Sequence, residues 1–321
     1  MLRGRGNFQA GPLLNALGRF ARAADKPPDG VDDYLHFYAL DHLVARQGCR
    51  HRLGYLEVEG ERIATQCFEP AEPKGTAVVC HGYYDHVGLY GHLIEYLLDQ
   101  ELTVLCFDQP GHGLSTGMRA TIGCFNDYVA SLEAVLGELN QLQRPYHLLG
   151  QSMGGAVVLE RIAQRGLKPF TEVVLFAPLI RPAWWSVNRI LWQIAKRTIE
   201  ERPRTITKNA GDPDFVAFMR RDPLQSMVLP VQWVTAMANW MQRFERIPPM
   251  KEFAPKVIQG HSDKTVGWRH NLKVLNRLFS PDVLHLPDAR HHLVNESAVL
   301  RAEMWRWLSE RCRWHEVSVQ D

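Results

Sequence analysis

The sequence has no long apolar run and no marked excess of charge of either sign. No stretch approaches the roughly 20 consecutive apolar residues that a membrane-spanning helix requires, so we expect no transmembrane segment. The basic N-terminus lacks the apolar segment of roughly 7–15 residues typical of secretory signal peptides, so we expect no signal peptide. Lysine plus arginine number 37 against 35 for aspartate plus glutamate. Without a strongly basic character, nucleic acid is not an expected partner.

The cysteines form no metal-binding pattern. There are six, and none lies in a CxxC pair or at another metal-ligand spacing. Cys80 and Cys106 lie in apolar runs, where a free thiol behaves as a small hydrophobic group. We expect a reduced, cytoplasmic protein with no metal and no structural disulfide, and the even number of cysteines keeps the oxidised alternative open.

The N-terminal residues have the spacing of a short amphipathic helix. Its apolar face would comprise Leu13, Leu14, Leu17, Phe20 and Ala21, with Arg19 and Arg22 beside it. Such a helix could dock on the rest of the domain or touch a membrane surface, and both alternatives remain open. The sequence KPPDG at residues 26–30 would end it.

Short apolar runs alternate with helical segments along most of the remaining chain. Strands are predicted at residues 53–58, 63–68, 76–80, 102–107, 146–149, 173–176, 256–259 and 283–286. The first two flank Glu59-Gly60-Glu61 and should form a hairpin. The later strands are continuously apolar and interleaved with helices. This pattern predicts an α/β fold with a mostly parallel sheet that helices cover on both faces.

The alternation is lost between residues 178 and 255. This stretch is too long for a plain connection in a compact sheet, so we expect an inserted helical cap. The predicted parts are an N-terminal helical extension (1–50), an α/β core (51–179 and 254–321) and the cap (180–253).

The cap segment is rich in tryptophan. These side chains could line a substrate pocket or simply pack the cap onto the core, and the sequence leaves both interpretations open. The candidates for substrate contact are Trp184, Trp185 and Trp233.

Residues 150–154, Gly-Gln-Ser-Met-Gly, fit the pattern G-x-S-x-G. The pattern by itself is weak, but an apolar strand enters it and a helix rich in small residues leaves it. This is the strand–turn–helix context of a nucleophile elbow, where a serine stands on a sharp turn above the sheet. The N-terminus of that helix would favour developing negative charge. We therefore predict that Ser152 is a nucleophile rather than an idle serine in a glycine-rich turn.

A serine hydroxyl needs an adjacent base, and in this context an acid and then a histidine follow the serine along the chain. Asp263 follows one predicted strand, and His291 and His292 follow the last one. Either histidine could take the serine proton while Asp263 orients the imidazole. Asp288 is a rival acid, but three residues before His291 it is poorly placed to reach the far ring nitrogen.

The loop His81-Gly82-Tyr83 follows another predicted strand and is suited to an oxyanion hole. Each preorganised N–H donor there stabilises the tetrahedral oxyanion by about 3–4 kcal/mol. The expected donors are the amides of Met153, directly after the nucleophile, and Tyr83. His81 fits a structural hydrogen-bonding role better than that of a second base. The turn at residues 108–115 is interpreted as packing beneath the site, without chemistry of its own.

Five motifs now stand in order along the chain: H-G-Y-Y-D-H-x-G-x-Y (81–90), D-Q-P-G-H-G-L-S (108–115), G-Q-S-M-G-G (150–155), G-H-S-D (260–263) and R-H-H-L-V-N-E (290–296). Over roughly residues 50–312 the chain resembles the monoglyceride lipase and lysophospholipase branch of the α/β-hydrolases, also described as serine aminopeptidase-like hydrolases. The resemblance implies an ester-cleaving hydrolase without cofactor, with a cap over its pocket. It also implies Ser152, Asp263 and His291 as the catalytic triad, with Tyr83 and Met153 as oxyanion donors.

Two features depart from the pattern of this family. The family usually has an acid after the catalytic histidine, where this chain has His292. After the His-Gly pair it commonly has smaller residues than Tyr83 and Tyr84. These departures leave the triad intact and leave the size of the acyl pocket and the substrate open.

An aromatic cap with basic residues suits a lipid ester. Its apolar side chains could cover an acyl chain, and its Arg and Lys could meet a phosphate or an anionic membrane surface. We expect a small-molecule substrate, a lysophospholipid or monoacylglycerol, with peripheral membrane contact as an additional possibility. The alternatives are a short-chain carboxylesterase, a peptidase of the aminopeptidase type, and a non-catalytic binding module. The peptidase would need an acidic cap patch, for which Glu200, Glu201 and Glu245 are candidates.

Overall fold

An eight-stranded sheet runs through the centre of the molecule, a computed structural model in which residues 4, 6–20 and 27–316 are described. The strands of this described part are β1 (Arg50–Val58), β2 (Glu61–Glu69), β3 (Gly75–Cys80), β4 (Leu102–Phe107), β5 (Tyr146–Gln151), β6 (Phe170–Phe176), β7 (Glu201–Pro203), β8 (Val228–Pro230), β9 (Lys256–Gly260) and β10 (Asp282–Leu286). The main sheet has the order β1-β2-β4-β3-β5-β6-β9-β10. The β1–β2 and β2–β4 pairs are antiparallel and the other pairs are parallel, which confirms the predicted fold class.

Helices cover both faces of the main sheet. In the described residues they are α1 (Ala10–Ala16), α2 (Val31–Phe37), α3 (Asp41–Val44), α4 (Gly91–Asp99), α5 (Asn126–Leu136), α6 (Met153–Arg165), α7 (Trp185–Ala195), α8 (Pro213–Met219), α9 (Val231–Phe244), α10 (Trp268–Leu278) and α11 (Ala298–Arg311). Every residue of β3, β4 and β5 is buried. Alternate residues of β3 join different apolar clusters, with Ala77 and Val79 facing α4 and α11 and Val78 and Cys80 facing α5 and α6. Burial on both faces explains why these strands are continuously apolar.

The hairpin predicted at residues 53–68 is formed by β1 and β2. Its two connecting residues, Glu59 and Gly60, both have positive φ angles, 52° and 88°. Two consecutive positive φ angles are typical of the two-residue turn that matches the twist of a hairpin, and glycine adopts one of them without strain.

The N-terminal helix is shorter than predicted. It ends at Ala16, and Leu14 on its predicted apolar face is exposed. Beyond it the chain is extended, because the Phe20 N–H donates to the Tyr55 carbonyl at 2.8 Å and the Tyr55 N–H donates to Gly18 at 2.9 Å. The predicted helical face was therefore wrong beyond Ala16. Three of its members are nevertheless buried: Leu13, Leu17 and Phe20.

Other parts of the N-terminal prediction have different outcomes. Ala21 and Arg22 lie outside the described residues, as does the first residue of the KPPDG sequence. The sequence did not predict α2 and α3, whose residues pack into the core. Tyr34 of α2 and the following Tyr38 are fully buried.

The segment between β6 and β9 contains three helices and a two-stranded ribbon. The helices α7, α8 and α9 agree with the helical expectation, but the antiparallel pair β7–β8 was not predicted. Each of its strands has only three residues. Trp240 of α9 packs on the rest of the chain, since it stacks on Phe125 at 4.5 Å and its indole N–H donates to Glu160 at 2.8 Å.

None of the helices in the described part of the chain combines the length and apolar character needed to cross a bilayer.

Candidate active site

Ser152 lies on a sharp turn between β5 and α6. Its φ and ψ angles, 52° and −114°, belong to a backbone region that residues other than glycine rarely adopt. The flanking glycines permit the turn: a Cβ on Gly150 would lie 2.6 Å from Gly154, and one on Gly154 would lie 2.1 Å from the Cys80 carbonyl oxygen. The tight turn therefore depends on glycine at both positions and leaves the serine hydroxyl above the strand end.

The structure brings together the three residues on which the sequence analysis concentrated. His291 Nε2 lies 2.9 Å from Ser152 Oγ, and His291 Nδ1 lies 2.8 Å from Asp263 Oδ2. The serine follows β5, the aspartate follows β9 and the histidine follows β10, so all three stand at the carboxyl edge of the parallel sheet. The second carboxylate oxygen of Asp263 accepts the N–H groups of Thr265 at 2.7 Å and Val266 at 3.1 Å.

These contacts set the charges of the buried acid and base. Burial by itself would raise the pKa of Asp263, but the facing His291 and the hydrogen bonds to the carboxylate lower it below its usual range. Burial would lower the pKa of His291, but the charge of Asp263 and its hydrogen bond outweigh this and raise the pKa. The pair therefore favours an imidazole that can accept a proton from the serine and hold it.

The rival acid and the rival histidine lie elsewhere. Asp288 is exposed, and it is Asp263 that contacts the His291 ring. His292 turns away from the serine and places its Nε2 3.0 Å from Asp85 Oδ1. The other oxygen of Asp85 accepts the Tyr90 hydroxyl proton at 2.9 Å, and the Tyr90 oxygen accepts the Gly82 N–H at 2.8 Å.

Sequence reasoning missed this second acid–histidine pair. Asp85 stands inside the first motif and has no role in the sequence prediction, although position 292 departs from the family pattern. The separation of the two residues along the chain, 207 residues, hides the pairing from any local pattern. The signal that could have found it was the exchange of the expected acid after His291 for a second histidine.

The loop after β3 approaches Ser152 closely. A Cβ on Gly82 would lie 3.4 Å from Ser152 Cβ, about van der Waals contact, but only 2.7 Å from Asp85 Oδ2, so the close carboxylate requires glycine here. Met153 is the first residue of α6, and its N–H has no acceptor within the helix. The Tyr83 side chain is held by a hydrogen bond to the Ala120 carbonyl at 2.6 Å and by stacking on Trp233 at 3.7 Å.

His81 has the hydrogen bonds of a structural residue. Its Nε2 accepts the Gln109 N–H at 2.7 Å, which leaves Nδ1 to donate to the Gly82 carbonyl at 2.7 Å. Burial lowers the pKa of His81, so the ring is held neutral. The turn that follows β4 is similarly occupied, because Asp108 accepts the N–H groups of Val87 and Leu114, both at 2.7 Å.

A cavity of about 500 Å³ lies above Ser152 and His291. Helices α7 and α9 contribute much of its apolar wall, and the stretch after β7 contributes polar residues. Of the three predicted substrate contacts, Trp185 and Trp233 line the cavity, but Trp184 is 78% exposed and lies outside its lining. The prediction for Trp184 was therefore wrong. Trp192, which the sequence did not single out, lines the cavity instead.

The chain is similar to several known hydrolases. Residues 71–298 match the family model described as serine aminopeptidase, S33. The chain is 32% identical over 312 residues to the monoglyceride lipase of Homo sapiens, which covers 89% of this chain and 96% of that protein. It is 27% identical over 260 residues to the monoacylglycerol lipase of Mycolicibacterium smegmatis, covering 77% and 92%. The crystal structure of the Paleococcus ferrophilus monoacylglycerol lipase superposes with a TM-score of 0.65 at 21% identity over 80% of this chain and 100% of that one, and thus shares its fold.

Proposed function

This chain belongs to the serine aminopeptidase S33 family of α/β-hydrolases, and we propose that it cleaves a lipid ester through an acyl-enzyme on Ser152. The chain is an ester-hydrolysing serine hydrolase of the monoacylglycerol lipase-like branch. The observation that carries the assignment of residues is the hydrogen-bonded series Ser152–His291–Asp263 beneath the cavity. The substrates we assign are monoacylglycerols or lysophospholipids.

The chemistry follows from the positions of the polar atoms. Ser152 Oγ attacks the ester carbon while His291 Nε2 takes its proton, and Asp263 stabilises the imidazolium that forms. The Tyr83 and Met153 N–H groups stabilise the oxyanion. His291 then gives its proton to the leaving alcohol. In the second half, water gives a proton to His291 and attacks the acyl-enzyme, which releases the acid and restores the serine.

The cavity wall supports a lipid as the substrate. Its apolar side is formed by large side chains of α7, α9 and their surroundings, namely Trp185, Leu191, Trp192, Trp233, Val234 and Met237. An acyl chain buried there would gain about 0.8 kcal/mol for each methylene group removed from water. The names of the relatives agree with this choice, since both curated relatives described above are lipases acting on monoacylglycerols by name.

We further propose that residues 180–253 act as a cap on a core formed by residues 51–179 and 254–321. The cavity supports this division, because its floor comes from Ser152 and His291 and much of its wall comes from α7 and α9. The cap would exclude water from the acyl-enzyme and bind the acyl chain.

One face of α7 supports contact with a membrane surface. This exposed α7 face consists of Val187, Ile190, Leu191 and Ile194, which follow helical spacing and are each more than half exposed. Exposed apolar side chains on a helix that also carries Arg189 are suited to an anionic lipid surface. Leu191 also lines the cavity, so a lipid could pass from this face to the active site. Together with the six free cysteines, this favours a cytoplasmic enzyme that binds membranes peripherally.

The aminopeptidase alternative finds less support. A free substrate amine needs an unpaired acid in the cavity, but Glu245 is bound by Arg181 and His270. Glu200 and Glu201 are exposed and lie outside the described cavity lining.

Labelling by a fluorophosphonate probe and hydrolysis of defined esters test the function. The wild-type protein should be labelled and should hydrolyse monooleoylglycerol and lysophosphatidylcholine, and Ser152→Ala should lose both properties. Hydrolysis of nitrophenyl butyrate without either lipid would overturn the lipid assignment. A folded wild-type protein that is not labelled would instead favour the binding module.

Sedimentation with phosphatidylglycerol vesicles tests the membrane contact. The double variant Ile190→Ser/Ile194→Ser should bind vesicles more weakly than the wild type. The control Val299→Ser removes an exposed apolar side chain from α11 and should bind as the wild type does. Equal binding by all three proteins would contradict a role for α7.

A further inference from the structure

Arg204 places a positive charge in the wall of the catalytic cavity. It directly follows β7, and its backbone N–H donates to the Met227 carbonyl at 2.8 Å, which extends the pairing of β7 with β8. Its side chain is partly buried and lines the same cavity as Ser152 and His291. A cation in this position shares the cavity with the nucleophile and the base.

The contacts of this guanidinium are all with neutral groups. Nη1 donates to the Gln225 side-chain oxygen at 2.8 Å and to the Ser226 carbonyl at 3.0 Å, and Cζ lies 3.7 Å from the centre of the Tyr84 ring. Among the described residues no carboxylate forms an ion pair with it, and its Nη2 and Nε donors make no further hydrogen bond. Burial lowers the pKa of Arg204, so its charge is incompletely compensated.

The two acids that interact electrostatically with Arg204 are engaged elsewhere. Asp85 is bound to His292 at 3.0 Å, and Asp222 is bound to His86 at 2.8 Å. Both carboxylates favour the positive charge of Arg204 through space, but neither contacts it. The guanidinium therefore keeps donors and charge available for a ligand.

Arg204 lies at the end of an aromatic stack that begins in α9. Trp233 stacks on Tyr83 at 3.7 Å, Tyr83 contacts Tyr84 at 4.0 Å, and Tyr84 carries the guanidinium. The stack includes the residue whose N–H we assign to the oxyanion. It thus links the position of the cation to the residue that we assign to the oxyanion hole.

We propose that Arg204 is an anion-binding subsite for a phosphate or carboxylate group on the alcohol portion of the ester. A planar guanidinium with two unused donors can bind such an oxyanion in bidentate fashion. The enzyme then selects esters such as acylglycerol phosphates over neutral acylglycerols of the same chain length. The proposal of this subsite rests on the proposed ester hydrolysis at Ser152. It further specifies that the preferred substrate carries a negative charge.

Three soluble hexanoyl esters test the selectivity: hexanoylglycerol 3-phosphate, hexanoylglycerol and hexanoyl glycolate. The wild type should show a higher kcat/KM for an anionic ester than for the neutral one. Arg204→Gln should lower the anionic-to-neutral ratio by about tenfold to a hundredfold, because hydrogen bonds to a charged group are lost. Arg204→Lys should keep part of the ratio, since it retains the charge without the planar fork. Comparing the phosphate with the glycolate identifies which anion is preferred.

The matched control is Arg220→Gln, which removes an exposed cation that follows α8 and should leave the ratio unchanged. A wild type that does not prefer anionic esters would overturn the subsite. Equal losses of kcat/KM for all three esters in Arg204→Gln would also overturn it, because Arg204 would then only support Tyr84.

Direct binding separates this inference from the proposed function. Isothermal titration calorimetry of the wild type with glycerol 3-phosphate should show binding, and the Arg204→Gln variant should lose this binding. If no ester is hydrolysed and the fluorophosphonate does not label Ser152, the proposed function fails, and glycerol 3-phosphate binding decides the subsite alone. Absence of that binding overturns the subsite.

Discussion

Replacing Asp263 with asparagine should strongly reduce catalysis by changing which nitrogen of His291 carries the proton. Asp263 Oδ1 accepts two backbone N–H groups, from Thr265 and Val266. In Asp263→Asn the side-chain oxygen must face these two donors, so the amide nitrogen faces His291 Nδ1. Because that nitrogen then has to accept a hydrogen bond, the ring proton moves to Nε2, which lies 2.9 Å from Ser152 Oγ. A protonated Nε2 cannot act as a base.

The expected loss is large. When the aspartate of a serine-protease triad is exchanged for asparagine, the wrong tautomer lowers kcat about 10⁴-fold, equivalent to about 5 kcal/mol of transition-state stabilisation. The pH dependence should change as well. In the wild type the raised pKa of His291 makes kcat/KM rise with pH as the ring loses its proton. Without the negative charge of Asp263 this pKa falls, so the acidic limb of the profile moves to lower pH.

Hydrolysis of nitrophenyl butyrate between about pH 4 and 9, which brackets the titration of an ordinary histidine, measures both effects. Asp288→Asn is the matched control, because it removes an exposed carboxylate near the same loop and should change kcat less than about twofold. A loss below about tenfold in Asp263→Asn, or an acidic limb that stays in place, would refute the tautomer argument.

Gly154→Ala should destabilise the fold by more than about 3 kcal/mol in urea unfolding, since the new Cβ would lie 2.1 Å from a carbonyl oxygen at the end of β3. In the control Gly137→Ala the new Cβ meets no atom within 4 Å, so this change should be neutral or slightly stabilising. His292→Ala leaves the Asp85 carboxylate buried without its histidine and should cost about 3 kcal/mol in the same assay. His291→Ala should lose activity at a smaller cost in stability, because Asp263 keeps the N–H groups of Thr265 and Val266. Thiol titration of the denatured protein should count six free cysteines; a lower count would mean that disulfides form.

The parts of the site that could be predicted from the sequence are those with local signals. The turn at Ser152 is encoded by a strand, two glycines and a helix within a few residues, and the structure has that turn. Asp263 and His291 each follow a strand at the same sheet edge, so chain order was enough to nominate them. The choice of His291 over His292 rested on resemblance, because two adjacent histidines have almost the same local surroundings.

The parts that could not be predicted depend on distant partners. The helix at residue 16 ends because Tyr55 offers backbone hydrogen bonds to the following residues. The strands β7 and β8 are too short to give a periodic pattern and exist because they pair with each other. Trp184 and Trp185 are neighbours of one residue type, yet only Trp185 lines the cavity.

The sequence by itself determined the α/β class, the hairpin, the serine turn and the small set of groups able to serve it, because backbone propensity, apolar periodicity and turn chemistry act between near neighbours. Only the tertiary structure decided which histidine meets the serine, that Asp85 is held by His292, and that Arg204 stands in the cavity without an ion-paired acid among the described residues. These outcomes depend on which remote groups compete for each hydrogen bond and on which side chains remain exposed after packing. Both are decided only when the whole chain folds.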